Sequence, residues 1–112
     1  MQKADGMNYA PVSASPQEKA CGPGDFPFAA VGLDHGHIYG MCNGLVEAGA
    51  ELAAVYDRDP AKVAAFLERY PGVRVARSEE EILADPALRL VASAVRPDLR
   101  CPLGLRVMES GK

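Results

Sequence analysis

From Phe26 onward the apolar positions fall into two alternating patterns. "FPFAAVGL", residues 26–33, is a continuous apolar run, the mark of a strand buried on both faces. Ile38, Met41, Cys42, Leu45 and Val46 then recur at i, i+3, i+4, i+7 and i+8, one face of a helix, and Gly49 stands where such a helix would end. "ELAAVYD", residues 51–57, predicts a second short strand. Asp59 followed by Pro60 predicts an N-cap with proline at the first helical position, and Val63, Phe66, Leu67 and Tyr70 repeat the helical stripe until Pro71-Gly72 stops it. "VRVA", residues 73–76, predicts a third strand. Ser78 and Glu81 form a capping box ahead of Ile82 and Leu83. "LRLVASAV", residues 88–95, predicts a fourth strand. Asp98 is expected to cap a last helix with Leu99, Leu103, Val107 and Met108 on one side, and Pro102 is tolerable only near its start.

Strands alternating with helices at this spacing require a parallel sheet, right-handed crossovers and helices on both faces. The expected fold is a doubly wound, Rossmann-like α/β half-domain of about four strands, spanning residues 25–112. Residues 1–24, "MQKADGMNYAPVSASPQEKACGPG", carry few large apolar groups and no sustained period. They are expected to form a disordered tail ending at Gly22-Pro23-Gly24, because so little apolar surface does not offset the entropy of ordering. Met7 would serve as a start as well as Met1.

Composition narrows the function classes. A chain of 112 residues is about one domain long, and 48% hydrophobic with 24% charged residues is ordinary for a globular protein. A net charge of −3 gives no basic patch for nucleic acid. No apolar run reaches membrane-spanning length, and there is no secretory signal, so a cytoplasmic protein is expected. Cys21, Cys42 and Cys101 are odd in number and lack CxxC spacing, which favours free thiols over a disulfide scaffold or a zinc site.

The chemistry gathers where the first strand meets the first helix. In doubly wound sheets ligands bind beyond the carboxyl ends of the strands, where the strand order reverses. Gly32, Leu33, Asp34, His35, Gly36, His37 and Ile38 form that turn. Its amides and the helix N-terminus suit a pyrophosphate, and glycine lets a phosphate approach the backbone closely. A dinucleotide fingerprint also requires an acidic residue at the end of the second strand, and Asp57 lies there, 21 positions beyond Gly36. Asp57 favours NAD by accepting from both ribose hydroxyls, whereas Arg58 could meet the 2′-phosphate of NADP. NAD is the expected cofactor, with NADP the alternative.

The glycine pattern itself is altered. Counted from Gly32, Asp34 stands at the second glycine of G-x-G-x-x-G and His37 at the third, with Gly36 one place early. A carboxylate at Asp34 would repel a pyrophosphate unless it points away or bonds locally, and His35 and His37 could supply compensating donors. Two other readings stay open at this point. One is a tight turn with no ligand. The other is a metal site of Asp34, His35 and His37, which the cramped spacing and the lack of a fourth ligand disfavour, so no metal is expected. Glu79, Glu80 and Glu81 read as a solvated helix start whose charge suits the helix dipole.

"FAAVGLDHGHIYGM", "VYDRDPAKVAAF", "SEEEILADPALRLVASAV" and the closing "ESGK" together resemble the N-terminal half of the glucose-fructose oxidoreductase/inositol dehydrogenase/MocA (Gfo/Idh/MocA) family, over about residues 26 to 112. The resemblance implies a Rossmann domain that binds NAD or NADP. It further implies a following α/β domain for a sugar, polyol or related substrate, with hydride passing between substrate and nicotinamide. A lysine of a Glu-Lys-Pro motif assists proton transfer in that family, a few residues beyond the Gly-Lys step that here is Gly111-Lys112. Lys112 is therefore not the catalytic lysine, and no catalytic residue is expected within these 112 residues. The family's Thr-Pro-Asn-type turn reads Arg96-Pro97-Asp98 here; Pro97 matches and is expected near the cofactor, while Arg96 and Arg100 are unusual for a nicotinamide-side pocket.

The expected function is thus the cofactor-binding part of a nicotinamide-dependent oxidoreductase acting on a sugar, polyol or other hydroxyl substrate, which only a full-length form would bind. The rival reading is a truncated or decayed, non-catalytic paralogue serving as a nucleotide-binding or interaction module. The reading frame after Lys112 separates the two. An uncovered apolar sheet edge also predicts self-association or poor solubility.

Overall fold

Neighbouring side chains of the first strand point to opposite faces of the sheet, and both faces of this strand are dry. The computed structural model describes residues 18–112. In β1 (Pro27–Val31), Phe28 and Ala30 face one layer, while Ala29 and Val31 face the other. The first layer is α1 (His37–Glu47) and α2 (Pro60–Arg69), which contribute Ile38, Cys42, Val63 and Phe66. The second is α3 (Glu79–Ala84) and α4 (Pro97–Glu109), which contribute Ile82 and Leu103. Two cores of this kind explain why the β1 sequence is continuously apolar rather than alternating.

β2 (Glu51–Tyr56), β3 (Arg74–Val75) and β4 (Leu90–Ala92) complete a four-stranded parallel sheet in the order β3-β2-β1-β4. The chain steps outward from β1 to β2 to β3, then crosses back to the other side of β1. The fold is the expected doubly wound, Rossmann-like α/β sheet, and its order reverses between β1 and β4. All eight elements occur in the expected sequence order.

The caps follow the local chemistry. Asp59 accepts from the Ala61 N–H at 2.9 Å, with Pro60 opening α2. Ser78 accepts from the Glu81 N–H at 3.1 Å, and the Glu81 carboxylate reaches back one residue further than a standard box, accepting from the Arg77 N–H at 2.9 Å. α4 departs from expectation. It begins at Pro97 with Arg96 at the cap, and Asp98 lies in its first turn, pairing with the Arg96 guanidinium at 2.9 Å instead of capping. Proline's fixed φ suits that first helical position, which moves the start forward. Pro102 consequently falls inside the helix and denies the Asp98 carbonyl its donor. Met108, expected on the buried side with Leu103, is 71% exposed.

The described part of β4 is shorter than the run "LRLVASAV", yet the run stays zipped to its neighbour. The Ala94 N–H donates to Gly32 O at 3.0 Å and the His35 N–H to Ala94 O at 3.0 Å, so the β4 extension lies directly over the turn after β1. Of the segment expected to be a tail, residues 1–17 lie outside the described residues. Residues 18–24 form no helix or strand, and the amides of Ala20 and Cys21 donate to Ala48 O at 2.7 and 3.3 Å. Among the described residues no helix is long and apolar enough to cross a membrane.

Candidate functional site

The turn after β1 is squeezed from both sides. The Gly32 N–H donates to Tyr56 O at 3.1 Å, and Gly32 takes φ +85°, where a β-carbon would come within 2.0 Å of Val95 Cγ1 and 3.0 Å of Ser93 Oγ. Glycine at this position is demanded by the fold itself. Gly36 differs: it caps α1 at φ −62° with no side-chain cap bond, and a β-carbon there would meet only open space. The two glycines expected to share one task therefore do different things.

The amides expected to face a pyrophosphate are largely committed within the protein. The His35 N–H goes to Ala94 O, the His37 N–H to His35 Nδ1 at 3.1 Å, and the Ile38 N–H to His35 O at 3.2 Å. Among the described residues the Gly36 N–H has no such partner. His35 Nδ1 accepts, so a neutral His35 ring carries its proton on Nε2. The His35 and His37 rings stack with centroids 4.0 Å apart. The Leu33 and Ile38 side chains lie in the core rather than at the turn's surface, so they anchor the turn instead of touching solvent.

Asp57 sits at the carboxyl end of β2, half-buried. Its Oδ2 accepts from the Leu33 N–H at 2.7 Å and its Oδ1 from the Asp59 N–H at 2.8 Å. The carboxylate thereby ties the β1 turn to the start of α2, and each oxygen keeps a further lone pair. Asp57 and exposed Arg58 rim a cleft of about 300 Å³ floored by Val31, Gly32 and Tyr56. Its far wall is Leu99, Pro102 and Leu103 of α4, closed by a two-bond pair between Arg106 and Glu79 at 2.7 and 3.0 Å. Glu79 is thus bound to α4 rather than simply solvated. A second, wider cleft of about 670 Å³ is bordered by His35, Gly36, His37, Met41, Ser93 and Arg100. Pro97 shapes the first turn of α4 and lines neither cleft.

Asp34 stands between the clefts. Its Oδ1 pairs with Lys62 Nζ of α2 at 2.6 Å, and its Oδ2 accepts from the Arg96 N–H at 2.9 Å. The Lys62 ammonium and the Arg96 amide hold the carboxyl below the ordinary carboxylate range, and Asp34 in turn holds the Lys62 ammonium up. This local bonding gives both oxygens of the carboxylate a partner within the protein. With Asp34 turned to Lys62 and the imidazoles stacked on each other, Asp34, His35 and His37 do not converge; no group of three His, Cys, Asp or Glu able to hold a metal exists among the described residues.

Lys62, Ser93 and Arg106 carry no signal as site residues in the sequence pattern, and Glu79, Val95 and Leu99 read there only as parts of a helix start, a strand and a helix face. Lys62 lies three residues after the Asp59 cap, on the exposed side of the α2 stripe, a placement that signals only solvation. Two further ionisable groups line neither cleft. Burial pushes the Cys42 thiol up to about 11, so it stays protonated. Lys112 Nζ donates to the carbonyls of Asp85 at 2.6 Å and Leu88 at 3.0 Å, at the amino ends of the strands and away from both clefts.

No family model and no curated protein matches the chain. Solved structures do. A proposed oxidoreductase from Erwinia carotovora atroseptica SCRI1043 is 44% identical with a TM-score of 0.76, covering 79% of this chain and 26% of its own. A proposed NADPH-dependent oxidoreductase from Desulfitobacterium hafniense DCB-2 is 25% identical with a TM-score of 0.68, covering 78% of this chain and 25% of its own. An NAD-binding protein from Listeria innocua, 24% identical with a TM-score of 0.67 over 78% of this chain, shares the fold. The chain spans about a quarter of the length of these solved proteins.

Proposed function

We propose that residues 25–112 are the nicotinamide-dinucleotide-binding part of an oxidoreductase. The observation that carries this reading is the Asp57 carboxylate on the rim of a cleft at the strand-order reversal, where such sheets take their ligands. The likeness to two solved proteins described as oxidoreductases supports it. The donor set fits the group in part. The cleft of about 300 Å³ would take the adenosine half, with the free lone pairs of Asp57 there to accept from the ribose hydroxyls and Arg58 at the rim. The Gly36 N–H and the N-terminus of α1 would hold the pyrophosphate, and the cleft bordered by His35 and Gly36 would be left for the nicotinamide. NAD is preferred over NADP because Asp57 is fixed at the rim while Arg58 is free in solvent.

A bound nicotinamide supplies hydride chemistry, and this part of the protein binds and orients it. Following the Gfo/Idh/MocA resemblance, the substrate is a sugar, polyol or other hydroxyl compound, held by residues outside this chain. A non-catalytic module is the second reading, favoured by one observation: the amides of His35, His37 and Ile38 are already spent within the protein.

Isothermal titration with NAD and with NADP tests the proposal, with binding expected for both and tighter binding for NAD. Asp57→Ala is expected to weaken NAD by about 1–3 kcal/mol, the usual cost of stranding hydrogen-bonding groups. No binding of either cofactor at millimolar concentration to a folded sample would overturn the proposal.

A further inference from the structure

The Asp34 side chain joins three segments that surround the strand-order reversal. It starts in the turn after β1, grips Lys62 of α2, and accepts from the Arg96 N–H at the cap of α4. An ammonium and a backbone N–H at a helix cap are the partners a phosphate oxygen seeks. Asp34 also occupies the second-glycine position of the fingerprint, where the backbone of a dinucleotide turn comes nearest the ligand. It borders the cleft that holds Asp57 and Arg58, and the wider cleft with Gly36 and Arg100 begins one residue further on. A ligand long enough to use both clefts has to cross the position of this carboxylate.

We propose that the Asp34 carboxylate is an internal anion seated where a nucleotide phosphate belongs, and that a bound dinucleotide displaces it from Lys62 Nζ and the Arg96 N–H. The inference rests on the dinucleotide reading above and adds a selectivity to it. Displacement is feasible because the pair is solvent-exposed, and exposed ion pairs are weak. Once freed, Lys62 and the Arg96 amide make up for the turn amides that the protein has already used. The site then discriminates by charge. A ligand without phosphate gains nothing from opening the bridge, whereas one with a pyrophosphate must outcompete a carboxylate for the same two donors. Asp34 is thus a built-in competitor that sets how strongly charged a nucleotide must be to bind across both clefts.

Two variants and two probes test this. Asp34→Asn keeps the shape of the side chain and removes its charge, and Lys62→Met removes the contested cation. With NAD as probe, Asp34→Asn is expected to bind about tenfold more tightly than wild type, since like-charge competition is gone. Lys62→Met is expected to bind several-fold more weakly. With adenosine as probe, both variants are expected to match wild type. Thermal melts establish that each variant is folded before titration. If wild type binds NAD and a folded Asp34→Asn variant binds it no more tightly, the competitor role is wrong while the dinucleotide reading stands. If neither wild type nor either variant binds NAD, the dinucleotide reading falls and this inference with it.

Discussion

At position 32 the backbone holds φ +85° and a β-carbon would overlap Val95 Cγ1 at 2.0 Å, so two separate penalties act on any side chain there. Gly32→Ala is expected to destabilise the fold by about 2–4 kcal/mol in urea titration, from left-handed backbone strain together with overpacking. Gly36→Ala meets neither penalty and is expected to stay within about 1 kcal/mol of wild type; equal losses at both positions would contradict this account of the turn. Asp34 gives a pH signature. Its carboxyl titrates below the ordinary value of 3.8 in the folded chain, so its contribution is complete above that value and disappears as the pH falls through the lowered one. The difference in melting temperature between wild type and Asp34→Asn is therefore expected to be constant from pH 5 to 7, and to shrink as the pH drops below 3.8.

The elements were legible because several local signals agreed at each one. Continuous apolar runs marked strands covered on both faces, and Asp59-Pro60 and Ser78 with Glu81 marked helix starts by caps that the structure makes. α4 starts ahead of the cap that the sequence predicts: Asp98 is a good cap residue in isolation, but Pro97 fits the first helical position better and leaves Asp98 to pair with Arg96. Asp57 was legible for the same reason as the strands, since it only had to follow the end of one. Its partner Leu33, and the partners of Asp34, were not. Lys62 and Arg96 lie 28 and 62 residues from Asp34 in sequence, and no periodicity links them. α4 also carries a cost of its own in Pro102, which interrupts its hydrogen bonding. Pro102→Ala is expected to stabilise the chain by about 1–3 kcal/mol, read as a raised melting temperature.

For the described molecule as a whole, the open edge of β4 matters most. β4 pairs with β1 on one side only, and on α4 Leu105 and Met108 are 54% and 71% exposed. An unpaired strand edge and exposed apolar side chains on the same unit promote association. Light scattering is expected to report a mass that rises with protein concentration, and the double substitution Leu105→Glu with Met108→Lys to reduce that rise; a concentration-independent monomer would rule it out. The anchoring of Lys112 has a practical outcome. Its ammonium is tied to the carbonyls of Asp85 and Leu88, and Cys21 lies against Ala48, both at the amino ends of the strands. A sensor chip or fluorescent label attached through residue 112 would hold the molecule by its floor, with both clefts turned towards the flowing ligand.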